Sequence, residues 1–311
     1  MLANNSTPCV GQWNLQVQRQ IGTSTSISLA YVGDRGIHLT RNYNTNQSPY
    51  GGGSPAFPGL GSVTVQNNSG NSHYNAAQAQ YERRFSKGLQ FLGSFTWSKT
   101  IDDSCGDLDV CAPQLYTDYK LERGLSNQDQ NYVLVLSSLY ELPFGRGRHF
   151  GSNWSRPLDF ALGGWQVNGI YALQSGLPFS VCVDGSPAGN CVTRADLVGK
   201  PQVNPGNLAH YIVASAFATP AKTGGVFNAP GTAGRDVLRG PGSSNMDLSV
   251  SKLFKIKEQA QIQLVGEAYN LTNSPHFANP NADLSQGTFG TITSTWLPVG
   301  RILEVGAKLT F

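Results

Sequence analysis

Apolar and polar residues alternate with a period of two along several stretches of this chain. In Gln12-Trp13-Asn14-Leu15-Gln16-Val17-Gln18, the residues Trp13, Leu15 and Val17 fall on one side and amides on the other. Thr25-Ser26-Ile27-Ser28-Leu29-Ala30-Tyr31 repeats the pattern after a turn around Gln20 to Thr23. A period of two places successive side chains on opposite faces of a β-strand. The same reading predicts strands over Tyr74 to Phe85 and Leu89 to Ser98, joined by Ser86-Lys87-Gly88, then over Tyr132 to Tyr140 and Gly164 to Leu173. A hairpin from Asn245 to Phe254 and Gln259 to Tyr269 follows, and Arg301 to Phe311 forms the last strand. The total is about nine strands, with room for helix only as short pieces inside loops.

Connection lengths set the architecture. After Tyr31 come about 40 residues rich in Asn, Gly, Pro and Ser, including Gly51-Gly52-Gly53-Ser54-Pro55, read as loop without a packed core. About 30 residues carrying Asp102-Asp103 separate the fourth and fifth strands. The longest irregular region runs from Ser175 to Ser243, and about 30 residues precede the last strand. Between these lie short links, among them Leu142-Pro143-Phe144-Gly145-Arg146-Gly147-Arg148, so that short and long connections are expected to alternate strictly. That is the pattern of a transmembrane barrel, with short periplasmic turns and long extracellular loops. A soluble sandwich would give turn signals every 8 to 12 residues instead.

The terminal strand fits the same frame. Leu303, Val305, Ala307, Leu309 and Phe311 share one face, opposite Ile302, Glu304, Gly306, Lys308 and Thr310. A strand of roughly 10 residues, tilted, crosses a bilayer. Aromatics gather near predicted strand ends: Trp13, Tyr31 and Trp97 towards the long loops, Phe85, Tyr140, Trp165 and Phe311 towards the short turns. Two such girdles suit two membrane interfaces. The expected fold class is therefore all-β: an antiparallel transmembrane β-barrel, partial, of about nine strands. A complete bacterial barrel has an even strand count, so the chain is expected to be a C-terminal portion of something larger.

Composition sharpens this. Charged residues make up 13% of the 311 residues, about half the usual share of a soluble domain. Net charge is +3 with no basic cluster, which argues against a nucleic-acid partner. No apolar run is long enough for a transmembrane helix, and the first residues lack the pattern of a signal peptide. Of the five cysteines, Cys105 and Cys111, and Cys182 and Cys191, form two close pairs inside predicted loops, read as loop disulfides of an oxidising compartment; Cys9 is left over. Enzyme chemistry finds little footing, and no catalytic, cofactor or metal residue is assigned. Asp102 and Asp103 are adjacent, so on a strand they point apart. Gly145-Arg146-Gly147-Arg148-His149 lacks the strand-to-helix context of a phosphate cradle. The five histidines are scattered without ligand spacing. Glu82, Glu267, Glu304, Lys252 and Lys308 alternate with apolar positions and are expected to face a polar lumen.

Specific segments resemble the Oar-like TonB-dependent transporters of bacterial outer membranes. Gln12-Trp13-Asn14-Leu15 with Ala30-Tyr31-Val32-Gly33-Asp34-Arg35-Gly36 is similar to one of their hairpins. Tyr74-Asn75-Ala76, Arg83-Arg84-Phe85-Ser86-Lys87-Gly88-Leu89 and Phe95-Thr96-Trp97-Ser98-Lys99-Thr100-Ile101-Asp102-Asp103 resemble the next. Tyr140 to Gly147, Gly163 to Val167, Gly234 to Gly242 and Glu267-Ala268-Tyr269-Asn270-Leu271-Thr272-Asn273 continue the likeness in order. The resemblance implies a 22-stranded barrel around a plug, of which residues 1-311 would supply the C-terminal portion, the plug and N-terminal domains being absent. It implies energy-coupled uptake of a bulky, unidentified extracellular substrate by the full-length parent. Implied partners are outer-membrane lipid, the barrel-assembly machinery reading Leu303, Val305, Ala307, Leu309 and Phe311 of the terminal strand as its signal, and the TonB complex only through a plug not encoded here. The other class is a non-transporting surface or adhesin-like β-protein that binds partners through its long loops.

Overall fold

The computed structural model describes residues 6–104, 113–183, 191–256, 260–296 and 300–311. Nine long strands form one antiparallel sheet in sequence order: β1 (Cys9–Ile21), β2 (Thr25–Asn44), β3 (Thr64–Ser86), β4 (Leu89–Asp102), β5 (Tyr132–Glu141), β6 (Trp165–Gln174), β7 (Ser243–Lys255), β8 (Gln261–Tyr269) and β9 (Ile302–Thr310). A two-residue strand, Gly124–Leu125, adds to the upper end of β4. β1 and β9 are the two edges, so the sheet is an open wall rather than a closed cylinder.

Register shows which side of the wall each residue occupies, because directly opposed residues share a face. Leu303 opposes Ala268, Leu309 opposes Ile262, and Ile262 in turn opposes Phe254. Across the sheet, Trp97 opposes Ala77 and Tyr132, Leu29 opposes Ala79 and Val17, and Tyr31 opposes Leu15. All of these lie on one face, and it is bare: Val305 is 91% exposed, Leu15 70% and Val17 68%. No second sheet closes over it among the described residues, which separates a membrane wall from a sandwich. The opposite face carries Gln12, Asn14, Gln16, Gln18 and Gln20 on β1, Gln78, Gln80 and Glu82 on β3, and Glu267, Glu304 and Lys308 near the end of the sheet. An apolar outer face and a polar inner face are what lipid outside and water inside select. Tyr132 to Tyr140 covers about 26 Å measured along the strand, at roughly 3.3 Å per residue.

Local geometry supports the wall at two glycines. Lys87 and Gly88 both take positive φ, 53° and 79°, which makes the two-residue turn between β3 and β4 a primed turn suited to the strand twist. Gly33 lies under the Trp13 ring, where a Cβ would come within 2.5 Å of the indole.

Three expectations need correction. The stretch after Tyr31 is not a loop of about 40 residues: β2 runs to Asn44 and β3 starts at Thr64, leaving residues 45–63 between them. Asn, Gly and Ser in Asn42-Tyr43-Asn44 and Asn67-Asn68-Ser69-Gly70 read as loop, yet their backbones pair as a ribbon above the membrane band, with a register shift beside His38 (φ 56°). Second, connections do not alternate strictly between short and long. Residues 142–164, on the short-turn rim, hold a helix, α1 (Arg156–Leu162), started by Pro157. Third, Lys252 does not face the lumen. It opposes Trp165 and Leu264 on the lipid side, and α1 covers it. Lys252 has the parity of Val250 and Phe254, and a one-residue change of phase moves a side chain to the other face.

Candidate ligand-binding cap above the barrel wall

The buried core of this protein is not in the wall. Phe179, Val181, Val183, Ala195, Tyr211, Ile212, Phe217, Leu238 and Ala282 pack together above it, contributed by residues 175–242 and 270–301. Short pairings hold the chain there: Phe179 with Leu238, and Leu197 with Phe217. Phe179, Val181 and Val183 alternate with Ser180 and Cys182, so a period-two signal was present inside the stretch read as irregular. Cys182 and Cys191 form a disulfide with Cα atoms 5.3 Å apart. Cys105 and Cys111 lie outside the described residues, and Cys9 is an exposed thiol.

Buried arginines join the cap to itself and to the wall. Arg194 is almost fully buried and donates from Nη1 to Glu122 at 2.8 Å, from Nη2 to the Leu121 carbonyl at 2.7 Å and from Nε to the Ala233 carbonyl at 3.0 Å. Gln114 sits beside it: its side-chain oxygen accepts from Arg194 N and Gly231 N, and its Nε2 donates to the Gly231 carbonyl. These contacts fasten the loop after β4 to the loop after β6. Asp102 pairs with Arg235, whereas Asp103 pairs with Arg41 at 2.6 Å and accepts from Asn71 N at 2.7 Å. The two adjacent carboxylates are therefore held by different arginines. Asp129 pairs with Arg239 and accepts from Thr100 N. None of these ion pairs was legible in sequence, because their members lie 62 to 133 residues apart.

Burial also shifts cap residues that titrate. Desolvation raises the Tyr211 phenol above its ordinary value, and its hydroxyl donates to the Arg239 carbonyl at 3.2 Å. The Tyr119 phenol, beneath the Arg41 guanidinium 3.8 Å from its ring, is raised mainly by burial and then by Tyr43. Burial raises the Asp236 carboxyl against the opposing pull of Arg235 and of the Ser180 hydroxyl, which donates to it at 2.9 Å.

Where the cap meets the inner face of the wall, a cleft of about 320 Å³ opens between the ends of β6 and β7 and residues 276–296. Gln174 and Ser243, which oppose each other on the lumen side, form its floor. Gln130, His276, Asn279 and Trp296 form its sides. The His276 Nε2 lies 3.2 Å from the Ser244 carbonyl, and the Trp296 N–H donates to the His276 carbonyl at 2.7 Å. Trp296 is 61% exposed. Amide, imidazole and indole groups at one opening suit a polar ligand with some apolar surface. A second cleft, also about 320 Å³, lies higher, between Pro49 and Tyr50 on one side and Val192, Val226 and Phe227 on the other. Among the described residues, no group of three or more His, Cys, Asp or Glu side chains could hold a metal ion.

The terminal residues Leu303, Val305, Ala307, Leu309 and Phe311 lie at the edge of the sheet on its outward face, with Phe311 94% exposed at the short-turn rim. Of the aromatics expected at two girdles, Trp13, Tyr31 and Trp97 stand exposed at the upper level, and Phe85, Tyr140 and Phe311 at the lower.

Comparisons agree with this geometry. A model of the outer membrane beta barrel domain matches residues 1–304. The outer membrane transporter YddB from Escherichia coli has a similar fold, with a TM-score of 0.51 at 11% identity, over 98% of this chain and 33% of that one. BauA, the ferric preacinetobactin receptor from Acinetobacter baumannii, aligns with 97% of this chain and 29% of its own length, at 9% identity and a TM-score of 0.48. The chain thus spans about a third of the length of these solved structures. A comparison with curated proteins finds no match. A wall with one lipid face and one watery face, long loops gathered at one rim, and a family match over nearly its whole length lead to one conclusion: this chain belongs to the outer membrane beta-barrel domain family and resides in the outer membrane.

Proposed function

We propose that this chain supplies wall and extracellular cap to an Oar-like, TonB-dependent transporter that takes up a bulky substrate in an energy-coupled manner. The observation that carries this reading is the cleft between cap and inner wall. Its floor is wall (Gln174, Ser243) and its sides are cap (Asn279, Trp296), so a ligand held there touches both the recognition loops and the lumen. Long loops on a rigid barrel are where such proteins place recognition. The likeness to YddB, at 11% identity, supports the fold on which the proposal is built. Energy coupling would pass through a plug inside the full-length barrel, and the amide-rich inner face suits a hydrated passage beside it. No residue of this chain is given a catalytic role.

The test uses cells expressing the full-length protein. Compounds depleted from a complex medium are measured by mass spectrometry with and without the protein, and with and without TonB. Depletion that needs both is the expected result. A compound that binds the cells through this protein but is taken up equally without TonB would favour a surface-binding role for the loops and defeat the transport reading.

A further inference from the structure

α1 sits on the lipid side of the wall, at the rim of the short turns. Four contacts place it there. The Lys252 Nζ donates to the Phe160 carbonyl at 2.5 Å and to the Asp159 carbonyl at 3.4 Å. The Trp165 indole N–H donates to the Ala161 carbonyl at 3.1 Å. The Phe160 and Phe254 rings lie 4.9 Å apart. Lys252, Trp165 and Phe254 all belong to the outward face, in register with Leu264, Ile262 and Leu309. The Lys252 ammonium is enclosed by aromatic rings, 5.0 Å from that of Phe254 and 5.6 Å from that of Trp165.

The same connection also presents apolar surface that nothing in the protein covers among the described residues. Leu158, Phe160 and Leu162 on α1, with Phe144 and Phe150 before it, are 40 to 62% exposed. They continue the apolar band of the wall at the level of Tyr140 and Phe311. Around them stand the exposed Arg146 and Arg156, and Arg148, which pairs with Glu141 at 2.8 Å. The one acidic side chain on the helix, Asp159, is engaged by Arg146 N at 2.7 Å. Apolar side chains next to arginines are the composition of a segment that lies in a membrane interface and attracts anionic headgroups.

We propose that residues 142–164 form an interfacial foot: α1 seats its apolar side chains in the phospholipid leaflet on the periplasmic side, and Arg146 and Arg156 engage anionic phospholipid headgroups. The occupant is lipid because the exposed surface is continuous with the lipid face of the barrel and because its charge complements anionic headgroups. Lys252 ties this foot to the wall.

The experiment places the photocrosslinker p-benzoylphenylalanine at position 160 of the full-length protein, in vesicles of phosphatidylcholine with or without one-fifth phosphatidylglycerol. Position 17, on the lipid-facing wall, is the positive control. Position 198, exposed in the cap, is the negative one. Position 160 is expected to crosslink phospholipid as position 17 does, with phosphatidylglycerol several-fold over-represented among its adducts. Adducts in simple proportion to composition would overturn the headgroup part. No lipid adduct at 160, with adducts at 17 intact, would overturn the foot. The same probe at 160 in whole cells yielding a protein adduct in place of lipid would assign the surface to a partner and also defeat the proposal.

Discussion

Lys252 stands on the lipid face of a wall whose neighbouring outward residues are apolar, and its charge is tolerated because α1 brings two carbonyls and the Phe160 ring to it, beside the Trp165 and Phe254 rings of the wall itself. A buried ammonium without such partners costs several kcal/mol. Lys252→Met keeps the stem and removes the charge, so the wall is expected to assemble normally while α1 loses its tether. Hydrogen bonds to a charged group contribute about 1.5–3 kcal/mol, so amide exchange of residues 142–164 should speed up about 10- to 100-fold, read by hydrogen-exchange mass spectrometry. Unchanged exchange there would show that Trp165 and Phe254 suffice. A different logic governs Glu122. Glu122→Ala leaves Arg194 buried without its carboxylate, a change that costs about 3–5 kcal/mol. Protease sensitivity should appear in residues 175–242 while the strands remain protected. Among these residues the sequence showed least. Lys252 shares its parity with Leu248, Val250 and Phe254, which marks the lipid side, while its charge alone argues for the lumen; its cross-strand partners and the carbonyls of α1 show why parity wins.

At the scale of elements, β1 to β9 were legible because period-two alternation is a local property, enforced by lipid on one side and water on the other. Their ends were not. Asn, Ser and Gly in the upper parts of β2 and β3 carry loop composition, yet each strand offers the other an unbroken run of backbone partners, and pairing decides. α1 was hidden for the opposite reason: seven residues are too few for helical periodicity to show, and the surrounding Gly and Pro read as a plain connection. The terminal strand carries a prediction. β9 is an edge with its apolar face fully bare, and Phe311 completes its lower end. Deleting Phe311 should lower the amount of folded protein in the outer membrane several-fold, measured in membrane fractions by immunoblot with a periplasmic-chaperone-deficient strain as reference. Equal amounts with and without Phe311 would remove the terminal aromatic from any role in assembly.

The whole molecule is divided between a wall stabilised by lipid and a cap stabilised by its own dry core and ion pairs. That division predicts a difference in alkaline stability. Burial raises the phenols of Tyr211 and Tyr119, so the folded cap holds their protons to higher pH than the unfolded chain does. Above the ordinary phenol value, near 10, the unfolded state binds fewer protons than the folded one, and stability must fall as pH rises. The stabilisation from retained protons is complete below that value and is lost as pH climbs through the raised one. Near-ultraviolet absorbance is expected to show phenolate appearing together with protease sensitivity of the cap, while the wall keeps its β-sheet circular dichroism. Tyr211→Phe should weaken the coupling. Loss of wall and cap at the same pH would show that they unfold as one unit.

The sequence by itself determined that this chain forms a two-faced sheet with long excursions at one rim, because an alternating pattern needs nothing but a solvent on each side to be interpreted. It did not contain the pairing of Arg194 with Glu122, of Arg235 with Asp102, or the gathering of Phe179, Leu238 and Ala282 into one core. Those partners are brought within reach only when the strands place the loop ends side by side. The inner cleft, the cap above it and the foot below are products of that placement, and so are the carbonyls and rings that hold the Lys252 charge on the lipid side.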